Sequence, residues 1–268
     1  MKNKIKVSHE VPSALLHLSK HINDYDYCLP HLLDENEDYK NYFLKAKKSG
    51  RYIIMDNSLH ELGKAYNTER LIHWIEELKP DEFIVPDVWE DYKESTKNAF
   101  TWSVIDLPEE VTKIAVVQGK TLHEAFECYR EYKKIGYKKI AFSYGASYYN
   151  DICTHPNQDI GKALGRVYVI SALHKTGVIK KGDRIHLLGC ALPQEFAYYS
   201  DMSLFESLDT SNPIMAALEG TTYQPYGLLK KPKLAIDKTM KFTKKDIGGS
   251  LIDKIFYNIN LFKKLNNL

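Results

Sequence analysis

Short apolar runs take turns along this chain with segments of helical period. The runs at residues 5–8, 25–29, 52–55, 82–86, 113–117, 139–142, 184–188 and 203–208 are mostly continuous in their hydrophobicity, the pattern of parallel strands covered on both faces. Between them, residues 37–48, 68–78, 92–102, 121–135 and 159–175 repeat apolar positions at helical spacing. In the fourth of these segments Thr121 and Glu124 make a capping box, Leu122, Ala125, Phe126 and Tyr129 form the stripe, and Gly136 is the stop. In the second, Thr68 caps, Leu71, Ile72, Ile75 and Leu78 face inward, and Lys79-Pro80 ends the helix. Eight strands alternating with helices predict an α/β protein of one domain, a (β/α)8 TIM barrel, with a doubly wound open sheet as the alternative. The barrel is expected over residues 1–220, followed by a Lys-rich extension over 221–268 whose last segment, 252–265, is an amphipathic helix.

Several runs stop at a single polar or small residue. Asp56 follows RYIIM, Asp87 follows EFIVP, Gln118-Gly119 follows IAVV, Ser143-Tyr144-Gly145 follows IAF, Gly189 follows IHLL and Asp209 follows FESL. Taken singly, each has a plain structural reading: an Asp after a strand caps or turns the chain, Gln-Gly is a turn, and a glycine permits close packing. In a parallel barrel, however, the carboxyl ends of the strands share one rim, so these residues are expected to meet there. The set suits a heterocyclic base. An acid and an amide can bind donors and acceptors on a purine edge, glycines let the backbone approach it, and a second carboxylate is left for covalent work. No Gly-rich loop with Lys and Ser/Thr is present, so glycosidic chemistry is favoured over phosphoryl chemistry.

Composition narrows the partners. With 37 basic and 35 acidic residues in 268, no global charge demands a polyanion, and any nucleic-acid contact must come from local clustering. That clustering lies at residues 229–245, where seven lysines stand against one acid with Met240 and Phe242 among them. The segment is either a solvated surface or a phosphate-contacting patch, with Lys230, Lys231, Lys233 and Lys241 as candidates and Lys244 and Lys245 at its end. The four cysteines are scattered, without a CxxC pair or a histidine at ligand spacing, so neither a structural zinc site nor another cofactor is expected. Without a charged leader or an apolar run of spanning length, the chain reads as a soluble cytoplasmic protein with no membrane partner. High Lys, Asn, Ile and Tyr usage points to an AT-rich coding source, a class that includes many phages and low-GC bacteria. His9 and Glu10, at the end of the first strand, reach the expected rim and read as structural, while His31, His155 and His174 carry no assigned role.

The succession MDNS (55–58), PDEFIVPD (80–87), VVQGK (116–120), FSYG (142–145), HLLGCA (186–191) and FESLDTSNP (205–213) resembles, in order and spacing, the motifs of the guanine transglycosylases. These enzymes exchange a guanine in nucleic acid for a 7-deazaguanine. The DNS-x-x-E-L-G stretch at 56–63, the small size and the missing zinc motif look most like the phage and bacterial DNA-modifying branch of the DpdA type. The resemblance implies a (β/α)8 barrel in which Asp209 is the nucleophile and Asp56 the acid/base. It implies that Asp87 and Gln118-Gly119 bind the base edge, with Asn57, Ser58, Ser143, Tyr144, Gly145, Leu188, Gly189 and His60 around the base. Where the tRNA enzymes carry a Gly-Gly-aromatic run, this chain has Ser58-Leu59-His60, and Thr210-Ser211-Asn212-Pro213 replaces a basic, RNA-contacting run. These departures, and the absent Cys-rich zinc subdomain, favour DNA over tRNA. Three alternatives stay open: the same chemistry on tRNA, a non-catalytic nucleic-acid-binding partner subunit, and an unrelated barrel whose Asp56, Asp87 and Asp209 bind a divalent metal. A homodimer is also left open.

Overall fold

The computed structural model describes residues 5–243 and 247–268. Its strands are β1 (Lys6–His9), β2 (Asp26–Cys28), β3 (Ile53–Met55), β4 (Glu82–Ile84), β5 (Thr112–Val117), β6 (Lys139–Ser143), β7 (Arg184–Leu188) and β8 (Phe205–Thr210). They form one eight-stranded sheet in the order β1-β8-β7-β6-β5-β4-β3-β2, and every pair with a defined register is parallel. The order follows the chain without the reversal that marks a doubly wound sheet. The fold is therefore the (β/α)8 TIM barrel, with helices α1 (Glu37–Lys48), α2 (Thr68–Leu78), α3 (Tyr92–Val104), α4 (Leu122–Ile135), α5 (Gln158–Lys175), α6 (Asn212–Leu218) and α7 (Gly249–Leu265) and shorter helical turns between them.

The strand residues are buried almost throughout, as continuous apolar runs require: Ile53, Ile54 and Met55 of β3 expose nothing. Several local expectations are corrected. Asn67, not Thr68, caps α2, its side chain accepting from the Arg70 N–H at 3.0 Å, and Trp74 replaces the half-buried Ile72 on the inward face. Thr121 caps α4 by accepting from the Glu124 N–H at 3.1 Å, but Glu124 reaches back to the N–H of Lys120, at 2.6 Å, instead of closing a capping box. The buried face of α4 is Ala125, Cys128, Tyr129 and Tyr132, while Phe126 lies at its margin under the Arg130 guanidinium. At β8 the strand starts later than expected because residues 202–204 form a 3-10 turn capped by Asp201, and it runs on through Thr210. Asp209 thus lies within the strand, in register with Ser8 of β1.

The chain divides into two compact units. One comprises Tyr25–Phe142 and Leu173–His186 and contains β2 to β5. Within it Glu82 of β4 is fully buried and pairs with both Lys139 and Arg184, so the carboxylate has two cations for company. The other comprises Met1–Asp24, Ser143–Ala172 and Leu187–Leu268 and contains β1, β8 and α5 to α7. There α7 packs on α6 and is tied by the buried Asn258. Its amide donates to Pro213 O at 3.1 Å and Thr221 O at 3.0 Å, and its oxygen accepts from the Tyr223 N–H at 2.8 Å.

Candidate active site

In the unit built on β2 to β5, the expected residues form a connected polar cluster. Asp87 lies just past β4 and is 4% exposed. Asn57 donates to its Oδ1 at 2.6 Å and Gln118 donates to its Oδ2 at 2.5 Å. Both amides are oriented by backbone N–H groups on their oxygens, from Leu59 onto Asn57 at 3.0 Å and from Glu90 onto Gln118 at 2.8 Å. Burial lifts the Asp87 carboxyl to about 6 against the pull of these two donors, with the charge of Asp56 adding to the rise.

Asp56 follows β3 directly and keeps part of its surface open. The walls around its carboxyl nevertheless raise its pKa, opposed by the backbone of Asn57, the Tyr27 hydroxyl, the Ser58 N–H and the charge of His31. The Ser58 N–H donates to Asp56 Oδ2 at 3.2 Å. Ser58 sits in the left-handed region at φ 57°, and its hydroxyl meets His31 Nδ1 at 2.7 Å. His31, given no role from sequence, is therefore buried in the support of the Asp56 loop. Tyr27, also missed, contributes from β2 and stacks on His186 with centroids 6.2 Å apart. Gly119 is buried at φ 154°, where a Cβ would come 2.8 Å from Glu124 Cβ, so the turn into α4 needs glycine. His60 is exposed on the helical turn Leu59–Leu62, its ring 6.3 Å from that of Trp89.

The second group belongs to the other unit. Asp209 is 4% exposed, and its Oδ2 accepts from the Gly189 N–H at 3.3 Å. Gly189 has φ 59°, and a Cβ there would come 2.5 Å from the Tyr144 ring. The Tyr144 N–H donates to Leu188 O at 3.1 Å, and Ser143 Oγ accepts from the Gly145 N–H at 3.3 Å. From the basic segment, the Lys231 ammonium bonds the Tyr144 hydroxyl and sits 4.3 Å from the centre of its ring. Burial lowers the pKa of Lys231, and the charge of Lys162 adds to that. Lys230, Lys233 and Lys241 are exposed, and Lys244 and Lys245 lie outside the described residues. His9 is buried in β1, its Nδ1 meeting Asn23 Oδ1 at 2.9 Å, and burial pushes it down to about 4.

The structure thus brings Asn57, Asp87 and Gln118 into one hydrogen-bonded cluster beside Asp56, and brings Asp209, Gly189, Leu188 and Tyr144 into another. Among the described residues no group of three or more His, Cys, Asp or Glu side chains is arranged to hold a metal ion, and no helix is long and apolar enough to cross a membrane. The four cysteines are free thiols. The sequence matches no family model, and comparison with curated proteins also finds no match.

Proposed function

We propose that this protein is a DNA guanine transglycosylase, working in the cytoplasm, that exchanges guanine in DNA for a 7-deazaguanine base such as 7-cyano-7-deazaguanine. The observation that supports the reading is that Asp56, Asp87, Gln118 and Gly189 each lie past the carboxyl end of a strand and Asp209 next to the last residue of β8, the end of a (β/α)8 barrel's strands where its chemistry is kept. Two acids in different settings support a division of labour. Asp209, beside a backbone N–H that stabilises its charged form, is suited to attack. Asp56, with its pKa raised, is suited to carry a proton.

In this mechanism Asp209 forms a bond to the sugar anomeric carbon while the C1′–N9 bond breaks. The electron pair leaves on guanine, which takes the Asp56 proton. The incoming 7-deazaguanine then gives its N9 proton to Asp56 and displaces the Asp209 carboxylate, restoring the original configuration. Asp87 and Gln118, with Asn57, read the base edge. The target nucleotide leaves its stack for this, at a cost of about a few kcal/mol. Exposed Lys230, Lys233 and Lys241 are suited to the strand's phosphates.

The test is incubation with labelled 7-deazaguanine and either DNA or tRNA, followed by mass analysis of the nucleosides. Exchange in DNA, together with a covalent adduct that Asp209→Ala abolishes, supports the proposal. Exchange in tRNA alone replaces the DNA version, and absence of exchange with both in the presence of binding leaves a non-catalytic partner subunit.

A further inference from the structure

We propose that the buried Arg166–Glu195 ion pair is a positioning device that holds the Gly189 N–H on Asp209. Only the functional role of Asp209 rests on the transglycosylase reading. The side chains of Arg166, in α5, and Glu195 are both wholly buried, with Arg166 Nε donating to Glu195 Oε1 at 2.6 Å. The two terminal nitrogens of the guanidinium reach backbone: one donates to Leu188 O at 3.0 Å and the other to Gly189 O at 2.8 Å. Glu195 uses its second oxygen to accept from the Ala191 N–H at 3.2 Å. The pair therefore grips the end of β7 and the loop after it at three points, Leu188 O, Gly189 O and Ala191 N.

Peptide geometry converts that grip into a direction. In a planar trans peptide the C=O and N–H point opposite ways, so fixing Leu188 O fixes the Gly189 N–H. Leu188 O is held from one side by Arg166 and by the Tyr144 N–H, and on the opposite side of the same peptide the Gly189 N–H meets Asp209. Glycine otherwise has the widest backbone freedom of any residue, and here it sits at φ 59° with both flanking carbonyls restrained. Stability alone does not account for the arrangement, because well-packed apolar side chains commonly replace a buried ion pair at no loss. An apolar pair lacks donors set at fixed angles, which the planar guanidinium supplies.

The test is the double variant Arg166→Met with Glu195→Gln, which leaves no unpaired ion and keeps an acceptor for Ala191. Three quantities are read: the unfolding midpoint, hydrogen exchange of the Gly189 amide, and the rate of covalent adduct formation at saturating DNA. The expected result is a midpoint within a few degrees of the parent, Gly189 exchange at least tenfold faster, and adduct formation at least tenfold slower. Should the double variant not fold, Arg166→Lys, which keeps the charge but cannot hold both carbonyls, is expected to show the same two changes in smaller measure. Unchanged Gly189 exchange in a folded variant overturns the proposal, as does an unchanged adduct rate where the parent forms one. A parent that forms no adduct overturns the transglycosylase reading instead, and Gly189 exchange still decides the positioning role.

Discussion

Gln118 donates to the one carboxylate oxygen of Asp87 that Asn57 leaves free, so the acid is held between two amides whose own oxygens are already engaged by backbone N–H groups. The two donors favour the carboxylate and burial favours the acid; burial prevails and places the group at about 6. Folded Asp87 therefore binds its proton more tightly than the unfolded chain does. Its contribution to stability is complete below pH ~4 and is lost as the pH rises through 6, amounting to about 3 kcal/mol. Urea unfolding of the parent and of Asp87→Asn between pH 4 and 7 should show the difference in stability shrinking as pH rises. A pH-independent difference contradicts this.

Asp209→Asn keeps the shape of the side chain and an acceptor for the Gly189 N–H. Loss of base exchange by ~10³-fold or more is expected with little change in the unfolding midpoint, since only the attacking charge has gone. Single-turnover exchange with labelled base and thermal unfolding measure the two sides. A variant that retains exchange removes Asp209 from the nucleophile's role.

Gly189→Ala places a methyl group where φ is 59° and within 2.5 Å of the Tyr144 ring. The backbone penalty alone is about 1–2 kcal/mol, and displacement of the ring adds to it. Adding Tyr144→Ala to Gly189→Ala should recover the steric part but not the backbone part. Equal stability of the two variants in urea would show that the ring yields without cost.

The exposed lysines make a separate prediction. If Lys230, Lys233 and Lys241 each meet a phosphate, replacing all three by Ala should weaken DNA binding for every sequence alike. The slope of log K against log salt should flatten by ~0.7 per lost contact on single strands and ~0.9 on duplex. Titration of binding at several salt concentrations reads the slope, and an unchanged slope makes the segment a solvated surface.

The fold was legible because the eight apolar runs lack alternation and because helix stops such as Gly136 and Lys79-Pro80 are local signals. The end of β8, at Thr210, is hidden in the sequence for a physical reason. Asp209 and Thr210 are polar yet buried within the ladder, where a polar side chain breaks the hydrophobic pattern that otherwise announces a strand. The acids and amides at strand ends could be read from position alone. Their supports could not: Tyr27 lies inside an apolar strand, His31 looks like a turn residue, and Arg166 meets Glu195 across 29 positions with no motif at either end. Lys231 stands in the sequence among the candidate phosphate contacts with Lys230, Lys233 and Lys241, since nothing in a run of like charges tells which member turns inward.

That inward turn alters how a tail truncation should be understood. Removing the basic segment takes away the cation lying on Tyr144, and with it a brace on the ring that abuts Gly189. On the proposed function, a shortened protein inactive on DNA would have lost a wall beside Asp209 as well as a handhold for the strand. Lys231→Met, which keeps much of the stem and drops the charge, separates the two deficits in an otherwise intact chain.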